Sequence, residues 1–279
     1  MRVFLICLFI FSNLYGYEIS RTSQLKRFTK KLNQKQLFEI LRDFVQESAP
    51  SRMVGKPGHQ KSIEFLKKKI LELDKLKTGK TILQNFKPNI EKGKLLYDLD
   101  FHNRIVTQYK PEHELHIKWK KFTAYMKDIL TKHKDTEGTN IIWHKKGLNS
   151  KKLLIVGAHY DTISHDKKTL EILEKEAMPG ADYNASGVSV ALGIINVLKQ
   201  LELEIDVHVV FLDYQAFSFL GAAHYVDELS SELKKSKTEV LGFINLEMLG
   251  HDSILFDKQK KEGNMGLYTS KPGATTHLR

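Results

Sequence analysis

The chain has 279 residues, of which 41% are hydrophobic, and this composition is ordinary for a globular protein and excludes wholesale disorder. Its formal net charge is +11, from 44 Lys and Arg against 33 Asp and Glu. Such an excess of positive charge is typical of proteins that bind nucleic acid, a membrane surface or acidic ligands. It is also found in proteins that simply have a lysine-rich, solvated surface. The lysines are spread along the chain and no nucleic-acid-binding motif accompanies them, so we interpret the charge as a solvated surface and predict no nucleic-acid partner.

The first 16 residues, MRVFLICLFIFSNLYG, have the pattern of a signal peptide, with a positive charge at Arg2, an apolar core and a small residue at Gly16. The apolar run is short for a membrane span. We therefore predict cleavage after residues 1–16, an exported periplasmic or secreted protein and no stable membrane span afterwards; an uncleaved anchor is the alternative. Cys7 is the only cysteine, and Ile6 before it disfavours a lipoprotein signal.

The spacing of apolar residues predicts the elements of the mature chain in order. Helices are expected over 21–48, 59–76, 112–133, 185–200 and 221–233, and strands over 139–143, 152–158, 207–212 and 240–249. The stretch 81–109 has a weak strand-like alternation. The strands at 139–143 and 152–158 are expected to be neighbours joined by the turn KKGLNSK.

Strands that alternate with helices predict an α/β fold. We expect a mostly parallel sheet with helices on both faces, a three-layer α/β/α arrangement preceded by N-terminal helices. Residues 17–279 would form this as a single domain. His208 lies inside a predicted strand and is interpreted as a structural histidine.

Two polar residues follow the apolar run LLIVGA directly, at the point where a buried strand would end. They are His159 and Asp161. In open parallel sheets, ligands bind beyond the carboxyl ends of the strands. A metal-binding imidazole is usually oriented by an acceptor on its other nitrogen, so His-x-Asp at this place predicts an active-site-like position.

Several segments resemble the co-catalytic zinc aminopeptidase family. They are VGAHYDT, PGADYNASGVSVAL, FLDYQAFSFLGAAHYV and INLEMLG, in the family's order, with weaker similarity in SRMVGKPGHQKSIEFLKKKI and TNIIWHKKG. The family includes bacterial leucyl aminopeptidases, glutaminyl cyclases and the peptidase-like ectodomain of the transferrin receptor. The resemblance covers most of the chain after about Leu41 and implies the zinc-aminopeptidase-like α/β/α fold.

The resemblance implies two adjacent zinc ions, five ligand positions and a glutamate that acts as general base. Two neighbouring metals act as a clamp on an attacking and a leaving group. By similarity, His159 stands at the first histidine ligand and Asp161 at the carboxylate that orients it. Glu247 stands at the aspartate of the family's Asp-Met pair, and its carboxylate could still bind metal.

Other positions depart from the family's pattern. Tyr183 stands where the family has the bridging aspartate, with Asp182 one residue earlier as a possible replacement. Gln215 stands at the general-base glutamate and Ala216 at the glutamate ligand beside it. A phenol with an ordinary pKa near 10 cannot bridge as a carboxylate does, and alanine has no donor atom. Glutamine cannot accept the proton of water, and a general base typically contributes about 10²–10⁴-fold in rate.

The last histidine of the family lies well beyond the strand that carries Glu247, near the end of a complete domain, whereas His277 follows Glu247 too closely to take that role. The C-terminal part of the domain is therefore expected to be incomplete. We predict an exported zinc-peptidase-like protein without catalysis, with weak or absent zinc and a peptide or protein as a possible partner. The alternatives are a hydrolase with one zinc on His159, Asp182 and Glu247, and a truncated remnant without activity.

Overall fold

The computed structural model describes residues 32–166 and 168–250. The segment of the predicted signal peptide, together with His251 and His277, lies outside these residues. In the described part, five strands form one sheet in the order β1-β2-β4-β3-β5. The strands are β1 (Lys80–Phe86), β2 (Gly138–Lys145), β3 (Asn149–His159), β4 (Ile205–Leu212) and β5 (Glu239–Asn245).

The helices are α1 (Gln34–Glu47), α2 (Pro57–Leu73), α3 (Ile90–Phe101), α4 (Glu114–Lys132), α5 (Ser186–Leu198) and α6 (Leu220–Ser236), with π-helical turns at His102–Val106 and Ala181–Ala185. Their starts follow local sequence. Asn33 caps α1 by accepting a hydrogen bond from the Lys35 N–H, and Asn89 caps α3 through the Lys92 N–H. None of the described helices is long and apolar enough to cross a membrane.

The predicted α/β class is confirmed, with a sheet that is mixed. β3 pairs in parallel with β4 and β5, whereas β2 pairs antiparallel with β1 and β4. The expected adjacency of β2 and β3 is wrong, because β4 lies between them. The turn after β2 passes over the start of β4, where the Leu148 N–H donates to the Leu203 carbonyl at 2.8 Å.

Helices cover both faces of the sheet, as the sequence predicts. On one face, Val156, Val209 and Phe211 pack in the main core, together with α1, α2 and α5. On the other face, alternate strand residues such as Ile155 and Val210 pack against α6. β3 and β4 are therefore buried on both sides, which explains their almost continuous apolar sequence.

The expectation of strand structure throughout 81–109 is wrong after Phe86. Asn89 caps a helix there, and α3 packs side by side with α4. The Tyr97 hydroxyl of α3 donates to the Ala216 carbonyl at 3.1 Å. This helical pair therefore lies against the segment that follows β4, close to the predicted site.

Candidate functional site

The ends of three parallel strands bring the main predicted residues together. His159 ends β3, Gln215 and Ala216 follow β4, and Glu247 follows β5. Because parallel strands end at the same edge, these positions share the carboxyl edge of the sheet. The geometry there depends on the side chain of His159, which is 3% exposed.

His159 is oriented by Asp161 through the backbone. Its Nδ1–H donates to the Asp161 carbonyl at 3.0 Å, while the nearer carboxylate oxygen lies 3.6 Å away. The carboxylate accepts hydrogen bonds from the N–H groups of Gln215 (3.1 Å) and Ala216 (3.0 Å). Burial alone would raise the pKa of Asp161, but His159 and these two N–H groups lower it. Asp161 is thus a buried carboxylate that holds the segment after β4, here called the β4 loop, close to His159.

The other ring nitrogen of His159 faces Glu247. Nε2 lies 3.7 Å from Glu247 Oε1, beyond hydrogen-bond distance, and it is buried without a hydrogen-bond partner. The Asn245 side-chain amide donates to the other oxygen of Glu247 at 3.0 Å. Burial opposes protonation of His159, yet Asp161 and Glu247 raise its pKa to about 9. In the metal-free chain the ring is therefore protonated at neutral pH between two carboxylates, and Nε2 would have to lose its proton to bind a metal.

Tyr183 packs directly on this imidazole. The ring centroids of His159 and Tyr183 lie 4.8 Å apart with an interplanar angle of 62°, an edge-on arrangement. Burial raises the pKa of the Tyr183 phenol, and the charges of Asp161 and Glu247 raise it further. The residue at the predicted bridging position is thus a neutral phenol that fills space beside His159.

Asp182 is turned toward other partners. Its Oδ1 accepts hydrogen bonds from the Gly250 N–H at 2.6 Å and from the Ser186 hydroxyl at 3.2 Å. These contacts tie the start of α5 to the segment after β5. The role of Asp182 as a replacement metal ligand stays a prediction.

Zinc chemistry can be tested against these donors. Among the described residues, no group of three or more His, Cys, Asp or Glu side chains is placed to hold a metal ion. The buried, unpartnered Nε2 of His159 and the carboxylate of Glu247 could contribute two ligands, whereas a catalytic zinc usually has three plus water. A pair of zinc ions does not fit, since Tyr183 and Ala216 supply no carboxylate.

Arg52 is a site residue that the sequence analysis did not single out. It is 1% exposed, and its guanidinium donates to the carbonyls of Tyr160 (2.8 Å), Pro179 (2.6 Å) and Gly180 (2.9 Å). It therefore joins the loop after β3 to the turn that carries Tyr183. The available signal was its place in the weakly similar segment SRMVGKPGH.

A second group of unpredicted residues supports the β4 loop. His59 Nε2 lies 2.8 Å from Asp213 Oδ1, and the other carboxylate oxygen accepts from the Thr139 N–H at 2.9 Å. Asn184 donates to the carbonyls of His159 (3.2 Å) and Leu246 (2.9 Å), so it links the ends of β3 and β5. Asp213 and Asn184 lie in segments that carry the family resemblance, and His59 and Thr139 lie in the two weakly similar segments, but the sequence analysis gave none of them a role.

The open α/β sheet, with a buried histidine and a facing glutamate at its carboxyl edge, is consistent with an aminopeptidase-like fold. Residues 140–273 match the family model of peptidase family M28. The match covers a little less than half of the chain, and it confirms the resemblance of this part to the family.

The chain is 35% identical over 114 residues to aminopeptidase YwaD of Bacillus subtilis. This alignment covers 40% of this chain and 22% of YwaD. Among the solved structures that share its fold are the following three. A leucine aminopeptidase precursor from Bacteroides thetaiotaomicron is 18% identical, with a TM-score of 0.51 over 80% of this chain and 64% of the other.

A glutaminyl cyclase from Fimbriiglobus ruber is 16% identical, with a TM-score of 0.50 over 77% of this chain and 61% of the other. LapB from Legionella pneumophila is 13% identical, with a TM-score of 0.51 over 84% of this chain and 48% of the other. The chain thus spans less than two thirds of the length of each of these relatives.

Proposed function

We propose that this chain is an exported zinc-peptidase-like protein that does not hydrolyse peptides and acts as a binding or scaffold protein, with a peptide or protein as partner. The single observation that carries the proposal is Tyr183, a neutral phenol packed edge-on against His159 at the bridging position. A phenol in that position cannot supply the anionic oxygen that two neighbouring dications need.

The position of the general base supports the same proposal. Gln215 uses its backbone N–H to hold Asp161, and its side-chain amide has no basic lone pair at neutral pH. Ala216 likewise contributes only backbone, through its N–H to Asp161 and its carbonyl to Tyr97. This loop therefore contributes hydrogen bonds that fix structure rather than side chains that move a proton.

A specific observation favours one alternative, a hydrolase with a single metal. The Nε2 atom of His159 is buried, lacks a hydrogen-bond partner and faces Glu247. The third ligand would be Asp182, but its carboxylate accepts from Gly250 and Ser186, so the turn at Ala181–Ala185 would have to rearrange. We therefore place this alternative second.

A rescue series on aminoacyl substrates tests the proposal. Unmodified protein should show no zinc-dependent hydrolysis, and Gln215→Glu alone should stay inactive because no polarised water is present for the carboxylate to deprotonate. Tyr183→Asp, Gln215→Glu and Ala216→Glu together should restore zinc retention, measured as bound metal after dialysis. Chelator-sensitive hydrolysis by the unmodified protein, abolished by His159→Ala, would favour the single-metal alternative.

Export is the remaining part of the proposal. It rests on Arg2, the short apolar core and Gly16 in the first 16 residues. Mass spectrometry of the natural product should show removal of residues 1–16, whereas an intact N-terminal segment on the mature protein would count against export with cleavage.

A further inference from the structure

The fold gathers lysines that are far apart in the sequence at one end of the sheet. We define the lysine end as the segments 74–80, 145–152, 199–206 and 234–240. They contain eleven lysines and five aspartates or glutamates. The whole chain has a net charge of +11, so a large part of its positive excess belongs to this end.

Strand register places these segments together. Lys80 pairs with His144 across β1 and β2, Lys145 pairs with Val207 at the start of β4, and Lys152 pairs with Glu239 at the start of β5. The lysine end is therefore the edge at which the parallel strands begin. The residues of the candidate site lie at the opposite edge.

Hydrogen bonds between the segments hold the lysine end as one surface. The Lys199 ammonium donates to the Leu73 carbonyl at the end of α2. The Lys151 ammonium donates to the Ser236 carbonyl at 3.1 Å, and the Asn149 N–H to the Glu204 carbonyl at 2.8 Å. Four connections from different parts of the chain thus form a continuous, fixed face.

Nine lysines of this face are exposed, against three exposed carboxylates. The lysines are Lys75, Lys77, Lys80, Lys146, Lys151, Lys152, Lys234, Lys235 and Lys237, and the carboxylates are Glu202, Glu204 and Glu239. A cluster of this kind creates a local positive potential that attracts anionic partners.

The same face carries two strongly exposed leucines. Leu76 is 88% exposed and stands between Lys75 and Lys77, and Leu148 is 66% exposed in the turn that begins with Lys146. Among the described residues these are the two most exposed large apolar side chains. Each is therefore an apolar side chain on a connection between elements, beside cationic groups.

From this combination we propose that the lysine end docks on an anionic lipid bilayer. The ammonium groups would lie among lipid phosphates, while Leu76 and Leu148 enter the boundary between headgroups and acyl chains. Nucleic acid would use the charges but has no need of exposed leucines, so the leucines favour a lipid surface. This face is at the far edge from His159, so docking would leave the candidate site open to a partner. It is independent of the proposed function.

Vesicle binding by the full chain tests this inference. The protein is mixed with vesicles of phosphatidylglycerol and phosphatidylcholine in equal parts, and with vesicles of phosphatidylcholine alone. Binding is expected only to the anionic vesicles, with weakening as NaCl is raised to about 0.5 M. Residues 1–16 are the same in every variant, so differences between variants report the lysine end.

Two sets of substitutions separate the contributions. Lys75→Gln, Lys77→Gln and Lys146→Gln together should weaken binding about a hundredfold, and Leu76→Ser with Leu148→Ser should weaken it about tenfold or more. The matched controls are Lys110→Gln, Lys120→Gln and Lys121→Gln together, and Leu95→Ser, all exposed positions on or between α3 and α4. These controls should bind as the unmodified protein does.

The inference is overturned by equal binding to both kinds of vesicle, or by anionic binding that neither set changes. It is also overturned if the leucine pair has no effect while double-stranded DNA binds as well as the anionic vesicles, because the face would then be a general cationic surface. The substituted leucines are exposed, so circular dichroism should show unchanged folding in every variant.

Discussion

His159 Nε2 lies 3.7 Å from Glu247 Oε1, and this ion pair joins the ends of β3 and β5 across the candidate site. Asp161 lies on the other side of the same ring and its carboxylate is fixed by two backbone N–H groups. The arrangement places one positive ring between two carboxylates. The positive ring balances the charges of the two carboxylates, so the residues that the sequence predicts as metal ligands are paired with one another.

Metal content follows from this arrangement. We expect the purified protein to retain at most one zinc per chain after dialysis at neutral pH, because only His159 and Glu247 face each other as donors. Elemental analysis provides the measurement. His159→Ala should remove any zinc that is retained, whereas Tyr183→Phe should leave zinc content unchanged because the phenol oxygen is not needed as a ligand. Two equivalents of zinc in the unmodified protein would contradict the assignment.

The sequence was sufficient to predict the α/β class and the place of His159. The apolar runs of β3 and β4 are long and uninterrupted. A continuous apolar run of this kind is typical of a strand that is buried on both faces of a sheet. The order of strands was not predictable in the same way. β2 and β3 are close in sequence and joined by a short turn, yet β4 lies between them, and only long-range packing decides such a crossover.

The site residues could be predicted from the sequence only in part, for a similar reason. His159 ends β3 and Asp161 follows it, so local pattern sets their positions, whereas Glu247 was placed by the family resemblance and follows a strand that ends at Asn245, earlier than predicted. Arg52 acts from a loop more than a hundred residues earlier in the chain, through carbonyl groups that any sequence provides. Contacts from a side chain to remote backbone leave no spacing pattern, and therefore only the structure shows them.

Arg52 should be important for stability. Replacement by methionine keeps much of the side-chain volume but leaves one buried and two partly buried carbonyls without their donor, and we expect a loss of about 3 kcal/mol in the free energy of unfolding. Burial lowers the pKa of Arg52 to about 10, which reflects the cost of holding the cation there. Urea unfolding at pH 7 measures the loss.

The matched control is Arg42→Met. Arg42 pairs with its neighbour Asp43 at the surface, where such pairs contribute little, so its replacement should change stability by less than about 0.5 kcal/mol. Equal effects of the two substitutions would show that the carbonyl contacts of Arg52 are not important for stability.

His208 should make the protein sensitive to mild acid. Burial lowers the pKa of His208 to about 4, with the neighbouring His144 adding to the effect, and its Nδ1 lies 2.8 Å from the Tyr225 hydroxyl. In the unfolded chain the pKa is near 6.5. The unfolded state therefore binds the proton first as pH falls, and stability contributed by neutral His208 is lost from about pH 6.5 toward pH 4.

Between pH 7 and pH 5 this group should account for a loss of about 2 kcal/mol in the free energy of unfolding. The measurement is urea unfolding at both pH values. His208→Gln should reduce the pH dependence by that amount, while Tyr225→Phe, which keeps the titrating ring, should retain it. An unchanged pH dependence in His208→Gln would exclude His208 as its source.

Gly157 in β3 and Gly221 in α6 should respond differently to replacement by alanine. A Cβ at Gly221 would lie 2.1 Å from the Asp213 carbonyl oxygen, and Asn140 bonds to the backbone of both residues, so neither can move easily. A Cβ at Gly157 would lie 2.4 Å from the ring of Phe243, which is 49% exposed and can rotate outward. We expect Gly221→Ala to lower the free energy of unfolding by about 2–3 kcal/mol and Gly157→Ala to lower it by less than about 1 kcal/mol.

Urea unfolding of both variants provides the measurement. Alanine is intrinsically favoured over glycine in a helix by about 1 kcal/mol. If Gly221→Ala stabilised the protein, the close approach to Asp213 would therefore be relieved without cost.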